Sequence, residues 1–308
     1  MKIYHHIDEF VPVKNAVVTI GTFDGVHLGH RKIISRIKEL ADSINGETVI
    51  LTFFPHPRMI LHPEDQQIKL INTINEKAEL LEQLGVDHLI ITPFSRDFSN
   101  LSAEDYIRDI LVEKIGTKKI VIGYDHHFGK DRTGNLAELQ RFAPEYGFEV
   151  VEIPEQDIHD VAISSTRIRQ ALLSNDIGLA NECLGYNFLI SGKVTRGDQI
   201  GRTINYPTAN ILIEETYKLI PADGIFAVKV KVSGQEYKGM GYIGHRPTIN
   251  GMTRNTEVNI FDFDQDIYTQ PIRMEFLHFV RGDIKFESLE QLKSQLSKDK
   301  EDVLVLLN

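Results

Sequence analysis

A run of ten residues, Gly21-Thr-Phe-Asp-Gly-Val-His-Leu-Gly-His30, sets two histidines three positions apart where an apolar strand pattern gives way to a helical one. Imidazoles so placed can donate hydrogen bonds to charge developing on a departing pyrophosphate. Gly21 and Gly25 let the backbone turn tightly and approach a ligand, and the amides that open the helix point toward a bound anion. Such chemistry needs no side-chain nucleophile, because an oxyanion of the substrate can attack a phosphate in line while the protein supplies position and electrostatics. The plain alternative is a pair of surface histidines at a helix start. Phe23-Asp24 and a second segment weigh against it.

That segment is Ile163-Ser-Ser-Thr-Arg-Ile-Arg169. Ser164, Ser165 and Thr166 can cap free amides or bind phosphate oxygens, and Arg167 or Arg169 can add a charged fork. Capping alone would account for the hydroxyls. It would not account for arginines in a first helical turn, where the helix dipole disfavours positive charge unless an anion compensates.

A second set lies further along. Gly192-Lys-Val-Thr-Arg-Gly-Asp-Gln-Ile-Gly-Arg202 is a glycine-rich basic loop, with Gly192, Lys193, Gly201 and Arg202 at its ends, and Tyr206-Pro-Thr-Ala-Asn210 follows it. In an extended chain Thr208 and Asn210 share a face and can both reach a magnesium ion held by nucleotide phosphates. An ordinary turn shaped by Pro207 is the competing explanation. Glu257, in the strand-like run Thr256-Glu-Val-Asn-Ile-Phe261, is either a carboxylate on an exposed strand face or, beside magnesium and a substrate hydroxyl, a general base.

The elements that must position these residues fall into two patterns. From Ala16 to about Val151, strand-like runs at Val17–Ile20, Thr48–Phe53, His88–Ile91, Lys119–Ile122 and Glu149–Ile153 alternate with helical spacing at 31–44, 75–84, 102–114 and 135–145. This is the rhythm of a doubly wound α/β domain. Ser102, Asp105, Leu101 and Tyr106 spell out a helix start with a capping box and a hydrophobic staple. After a helical stretch over 165–184, the chain becomes β-rich, with strands expected at 188–196, 225–232, 236–243, 256–263 and 271–280. A meander of this kind predicts a small antiparallel barrel, since closure protects the edges. A terminal helix is expected from Ser288, with Gln291 in capping-box position. The domain boundary is expected near Gly185, giving domains 1–185 and 186–308.

Composition narrows the function classes. With 308 residues, 42% of them apolar, two domains are the natural division. A net charge of -10 argues against broad binding to nucleic acid or an anionic membrane. The single cysteine, Cys183, leaves no internal disulfide and no cysteine cluster for zinc. No apolar run approaches bilayer length, and Met1–Phe10 is polar rather than signal-like. A soluble cytoplasmic protein is expected.

Gly21–His30 together with Ser164–Arg169 resembles the adenylyltransferase half of the prokaryotic bifunctional riboflavin kinase/FAD synthetase family, in the nucleotidyltransferase superfamily with a His-x-Gly-His signature. Thr52-Phe-Phe-Pro-His-Pro57 and Gly123-Tyr-Asp-His-His-Phe-Gly129 resemble further blocks of it, although His126 and His127 stand where Phe and Arg are common. The stretch from Gly185 through Pro207-Thr-Ala-Asn210, Gly244-His-Arg-Pro-Thr248 and Glu257 to Arg281 and Phe286 resembles the family's riboflavin kinase module, with Ile204-Asn205 in place of the usual Leu-Gly. The resemblance implies a Rossmann-like nucleotidyltransferase domain and a six-stranded barrel. It implies that ATP phosphates meet Gly21, Phe23, Asp24, His27, Gly29, His30 and Ser164 to Arg167, with Phe54, His56, Pro57, Asp125 and Phe128 on the flavin side. In the barrel it implies ATP near Gly192, Lys193, Gly201 and Arg202, Mg2+ at Thr208 and Asn210, Glu257 as base and Arg281 near the flavin. The implied partners are small molecules: riboflavin and ATP give FMN, and FMN with ATP gives FAD.

Two other functions fit less of the sequence. A monofunctional FAD synthetase with an inactive barrel would explain Ile204-Asn205, and a flavin-binding regulator would need no general base. Two motifs are decoys. Gly239-Met-Gly-Tyr-Ile-Gly244 matches a dinucleotide fingerprint, but no helix follows it before Pro247, so it reads as a closely packed barrel strand. Asp262-Phe-Asp-Gln-Asp266 lacks the glycine and glutamate of a calcium loop and reads as a solvated acidic turn.

Overall fold

Ala16–Ile20 is buried at every residue, which suits a parallel strand covered on both faces. The computed structural model describes residues 1–62, 68–123, 126–153, 163–197, 200–248 and 251–308. In it a short strand β1 (Lys2–Tyr4) precedes this run, which is β2, and Thr48–Phe53, His88–Thr92, Thr117–Gly123 and Glu149–Ile153 form β3 to β6. All pair in parallel, in the order β1-β4-β3-β2-β5-β6. The sequence pattern omits β1, which is three residues long and mostly exposed, too short to display a period. Because β2 lies between β3 and β5, the chain winds off in opposite directions there and a crevice opens beyond the carboxyl ends of those strands.

The helix Leu28–Ser43 buries Ile34, Ile37 and Ala41 on its sheet-facing side. Ser102 caps the helix expected at 102–114 by accepting from the Asp105 amide at 3.0 Å, but its hydroxyl also donates to the Asp105 carboxylate at 2.7 Å. After the first turn, Ala103–Asp105, the chain widens into a π-helix over Tyr106–Lys114.

The chain divides into two compact units, Met1–Ser165 and Thr166–Asn308. The division therefore falls before the helical stretch that the sequence assigns to the first domain. That stretch is two helices, Ser165–Leu173 and Ile177–Leu184, separated where Asn175 turns left-handed at φ 61° and Asp176 caps the second. Both are fastened to the barrel. Asn175 donates to the Asp223 carbonyl at 3.1 Å, and Asn181 bridges the amide of Phe188 and the carbonyl of Phe276 at 2.7 and 2.8 Å.

The second unit is a closed barrel of six strands, β7 (Leu189–Thr195), β8 (Ala209–Leu212), β9 (Gly224–Val232), β10 (Gln235–Thr248), β11 (Gly251–Ile260) and β12 (Pro271–Arg281), in the order β10-β11-β8-β7-β12-β9. Its pairings are antiparallel. Phe188, Phe226 and Phe276 fill the interior and are fully buried. The fingerprint-like glycines lie in β10, where a side chain at Gly241 would meet Met274 and Val228, so close packing accounts for them. The helix Leu289–Leu306 begins at Ser288, whose hydroxyl accepts from Gln291 as the capping pattern predicts.

Candidate active sites

A cavity of about 850 Å³ lies in the first unit where β2, β3, β4 and β5 end. Its floor is the Gly21–His30 turn. Phe23 and Val26 hold left-handed φ values of 46° and 39° around Gly25 at 91°. For residues with a Cβ this costs roughly 1–2 kcal/mol each, and a β-branched valine is an outlier there. The turn is kept in that shape by bonds from below. Asp24, 1% exposed, accepts from the Ile71 amide at 2.9 Å, and its own carbonyl accepts from the Ser165 hydroxyl at 2.9 Å.

His27 is the N-cap of the helix Leu28–Ser43, its Nδ1 accepting from the His30 amide at 3.4 Å. An accepting Nδ1 leaves the proton of a neutral ring on Nε2. The His30 ring stacks on it, with centroids 3.6 Å apart and planes 16° from parallel. The buried Nδ1 of His30 has no hydrogen-bond partner among the described residues. Burial, and then the positive charge that His27 and Lys77 can carry, hold the His30 imidazolium well below its ordinary range, so the free site presents a neutral ring.

The other walls are aromatic. Phe53, at the end of β3, packs against Phe94 and Phe98, and Tyr106 faces Phe128 with ring centroids 5.0 Å apart. Of the expected first-unit residues, Gly21, Phe23, His27, Gly29, His30, Pro57, Phe128, Ser164 and Ser165 line this cavity. Phe54 and His56 do not: the alternation of β3 turns Phe53 inward instead, and His56 is occupied as the N-cap of Pro57–Leu61, accepting from Arg58 at 3.2 Å. Asp125 lies outside the described residues. Thr166 and Arg167 belong to the second unit, in the first turn of Ser165–Leu173. Sequence reasoning missed Phe94, Phe98, Arg96 and Arg132, which also line the cavity, and the buried Lys77 beneath the turn. Phe94 and Phe98 carry a usable signal, an aromatic pair just beyond a strand. Lys77 carries none, since a lysine in an amphipathic helix normally reads as solvated.

In the barrel, Asn210 of β8 stands directly opposite Glu257 of β11. Cross-strand neighbours share a face, so the two side chains project together, and Thr208 joins them from two residues away. The Thr208 hydroxyl donates to Glu257 Oε2 at 3.0 Å. Glu257 is 1% exposed, which settles that it is no surface carboxylate. A side chain at Gly197 would collide with the Asn210 amide, and one at Gly201 with the Tyr206 carbonyl, so the basic loop approaches Tyr206 and Asn210 this closely only as glycine. Hydroxyl, amide oxygen and carboxylate make a hard donor set that suits magnesium.

The remaining barrel residues divide. Gly192 sits in β7 against the Leu212 carbonyl, and Arg202 is exposed. Lys193 pairs with Glu214 at 3.0 Å on the outside. Arg281 is held by Asp299 of the terminal helix through both carboxylate oxygens, at 2.8 and 2.6 Å. Asp299 is fully buried, and nothing in the sequence pattern singles it out.

Comparison with known proteins finds a separate family for each half of the chain. Residues 11–167 match the FAD synthetase family model and residues 184–307 the riboflavin kinase model. Bifunctional riboflavin kinase/FMN adenylyltransferases of Listeria monocytogenes and Haemophilus influenzae are 37% and 38% identical, covering 97% and 96% of this chain and 95% and 96% of theirs. That of Escherichia coli K12 is 35% identical over 96% of this chain and 93% of its own. A crystal structure described as a macrolide-efflux protein from Streptococcus pneumoniae is similar at a TM-score of 0.86, with 32% identity over 97% of each chain. Among the described residues no helix is long and apolar enough to cross a membrane. The chain belongs to the bifunctional riboflavin kinase/FMN adenylyltransferase family and carries both activities, phosphorylating riboflavin to FMN and adenylylating FMN to FAD.

Proposed function

We propose that the Thr208–Asn210–Glu257 cluster performs the first step and the His27–His30 turn the second, in the cytoplasm, with riboflavin and two molecules of ATP consumed in sequence. The observation that carries the first assignment is the buried Glu257 carboxylate at 3.0 Å from the Thr208 hydroxyl. Glu257 takes the proton of the riboflavin 5′-hydroxyl as its oxygen bonds to the γ-phosphorus of ATP; the bond from that phosphorus to the β-phosphate oxygen breaks, and ADP leaves. Thr208 and Asn210 would hold magnesium, which would offset charge on the nucleotide phosphates. Thr208, through its hydrogen bond, also fixes the orientation of the base. Gly192, Lys193, Gly201 and Arg202 form the loop on the ATP side, and Arg281 serves the flavin side.

In the first unit, a phosphate oxygen of FMN attacks the α-phosphorus of a second ATP and pyrophosphate departs. No covalent enzyme intermediate forms. His27 Nε2 and His30 donate to the phosphate oxygens, assisted by the amides of the Leu28–Ser43 helix. Gly21, Phe23, Asp24, Gly29 and Ser164 to Arg167 complete the nucleotide side. Phe54, His56, Pro57, Asp125 and Phe128 stand as the flavin-side proposal, to which the aromatic lining adds Phe53, Phe94 and Phe98. The arrangement is tested by following riboflavin, FMN and FAD together over time by chromatography, with magnesium present or chelated. FMN is expected to rise and then fall as FAD accumulates. FMN formation that survives complete chelation would remove the metal role of Thr208 and Asn210.

A further inference from the structure

Lys77 is the one lysine of the parallel-sheet unit that is almost completely withdrawn from water, 3% exposed, among the described residues. It lies one position past a buried capping box, in which Thr73 and Glu76 exchange hydrogen bonds at 2.9 and 3.1 Å. Its ammonium donates to the Thr22 carbonyl at 2.7 Å, and the Thr52 hydroxyl reaches the same oxygen at 3.3 Å. Thr22 opens the turn whose next residues, Phe23, Gly25 and Val26, take left-handed backbone angles. The segment from Leu70 to Lys77 thus forms a buried support under the turn: Ile71 and Asn72 give their amides to Asp24 at 2.9 and 3.5 Å, and Lys77 fixes Thr22.

Burial of a cation is unfavourable and needs compensation by a partner of opposite charge. Asp24 supplies part of it. Even so, burial lowers the Lys77 ammonium from its ordinary value to about 8, with Asp24 opposing the shift. Among the described residues the titratable groups that face it are Asp24 and His30, and His30 in turn faces His27. A cation buried at such cost, beneath a strained turn and behind the histidines, has a position that packing alone would fill better with methionine or leucine.

We infer that Lys77 is a positioning residue for adenylyl transfer: its buried ammonium holds the Thr22–Val26 turn in the strained shape that presents His27 and His30 to the nucleotide. The inference rests on the reading that this turn serves the ATP phosphates. Lys77 touches neither substrate and acts through the turn. Its charge also disfavours protonation of His30 until an anion arrives.

The test uses the full chain with Lys77→Met, Lys77→Arg and His30→Ala side by side, each assayed for FAD formation from FMN, with FMN formation from riboflavin as the folding control. Lys77→Met is expected to lower kcat for FAD formation at least tenfold, with KM for FMN within twofold and the riboflavin kinase rate unchanged. In the unaltered chain kcat/KM for FAD formation is expected to fall as pH rises through about 8. Lys77→Arg, charged throughout, is expected to retain activity and to lose that fall. If Lys77→Met leaves kcat unchanged while His30→Ala lowers it, the inference fails and the reading of the turn stands. If neither lowers it, the reading itself fails. Where Lys77→Met impairs both reactions through misfolding, the Arg variant decides: an alkaline limb unchanged from the parent overturns the inference.

Discussion

The imidazoles of His27 and His30 are stacked, with ring centroids 3.6 Å apart. Two positive charges at that separation would repel, so the pair does not carry both at once, and burial keeps His30 neutral before the nucleotide binds. A polyphosphate bound beside them, as proposed, would reverse the balance, because nearby negative charge favours the protonated form.

Binding of ATP to the adenylyltransferase site should therefore take up a proton. The sign follows from the free state: His30 titrates below its ordinary value of 6.5 and is neutral at pH 7, while the bound anion raises it. Calorimetric binding enthalpies measured in buffers of different ionisation enthalpy are expected to differ near neutral pH, and the difference should vanish in His30→Gln. Equal enthalpies in all buffers would place the proton elsewhere.

Thr208→Ala removes both the oxygen proposed to hold magnesium and the hydrogen bond to Glu257. The loss of one such bond is worth about 1.5 kcal/mol, close to tenfold. We expect KM for MgATP in the kinase reaction to rise about tenfold while FAD formation from FMN is unchanged. Thr208→Ser should recover most of the loss. A kinase indifferent to both substitutions would leave the hydroxyl without a role.

The strands and the turn were legible in the sequence because their signals are local: apolar runs of strand length, paired histidines at a helix start, Ser288 and Gln291 three apart. What was not legible depended on neighbours. Brevity hid β1, whose three residues are recognised as a strand only beside β4. Strand β8 follows a proline and contains four residues, so the expectation of an extended Thr208–Asn210 stopped short of naming a strand. The choice between Phe53 and Phe54 needs the face of β3, and alternation alone does not say which side a ligand occupies. Lys77 and Asp299 look solvated by residue type; their burial is a property of the fold.

The Arg281–Asp299 pair fastens the terminal helix to β12, with Gln295 adding a bond to the same carboxylate at 2.8 Å. Asp299→Ala leaves a guanidinium, 17% exposed, without its partner. Breaking a buried pair from one side costs roughly 3–5 kcal/mol, whereas replacing both partners by apolar groups costs much less. Denaturant unfolding should show a loss of about 3 kcal/mol or more for Asp299→Ala and a partial recovery in Arg281→Met with Asp299→Leu. Equal losses in the single and double variants would show that the pair does not act as a unit.

Two chemically separate sites on one chain, with Glu257 acting in one and His30 in the other, should be separable by substitution. The decisive assay follows each half-reaction in Glu257→Gln and in His30→Ala. Glu257→Gln is expected to abolish FMN formation from riboflavin and spare FAD formation from FMN, and His30→Ala to do the reverse. A substitution that lowers both half-reactions equally would contradict the assignment of the two sites.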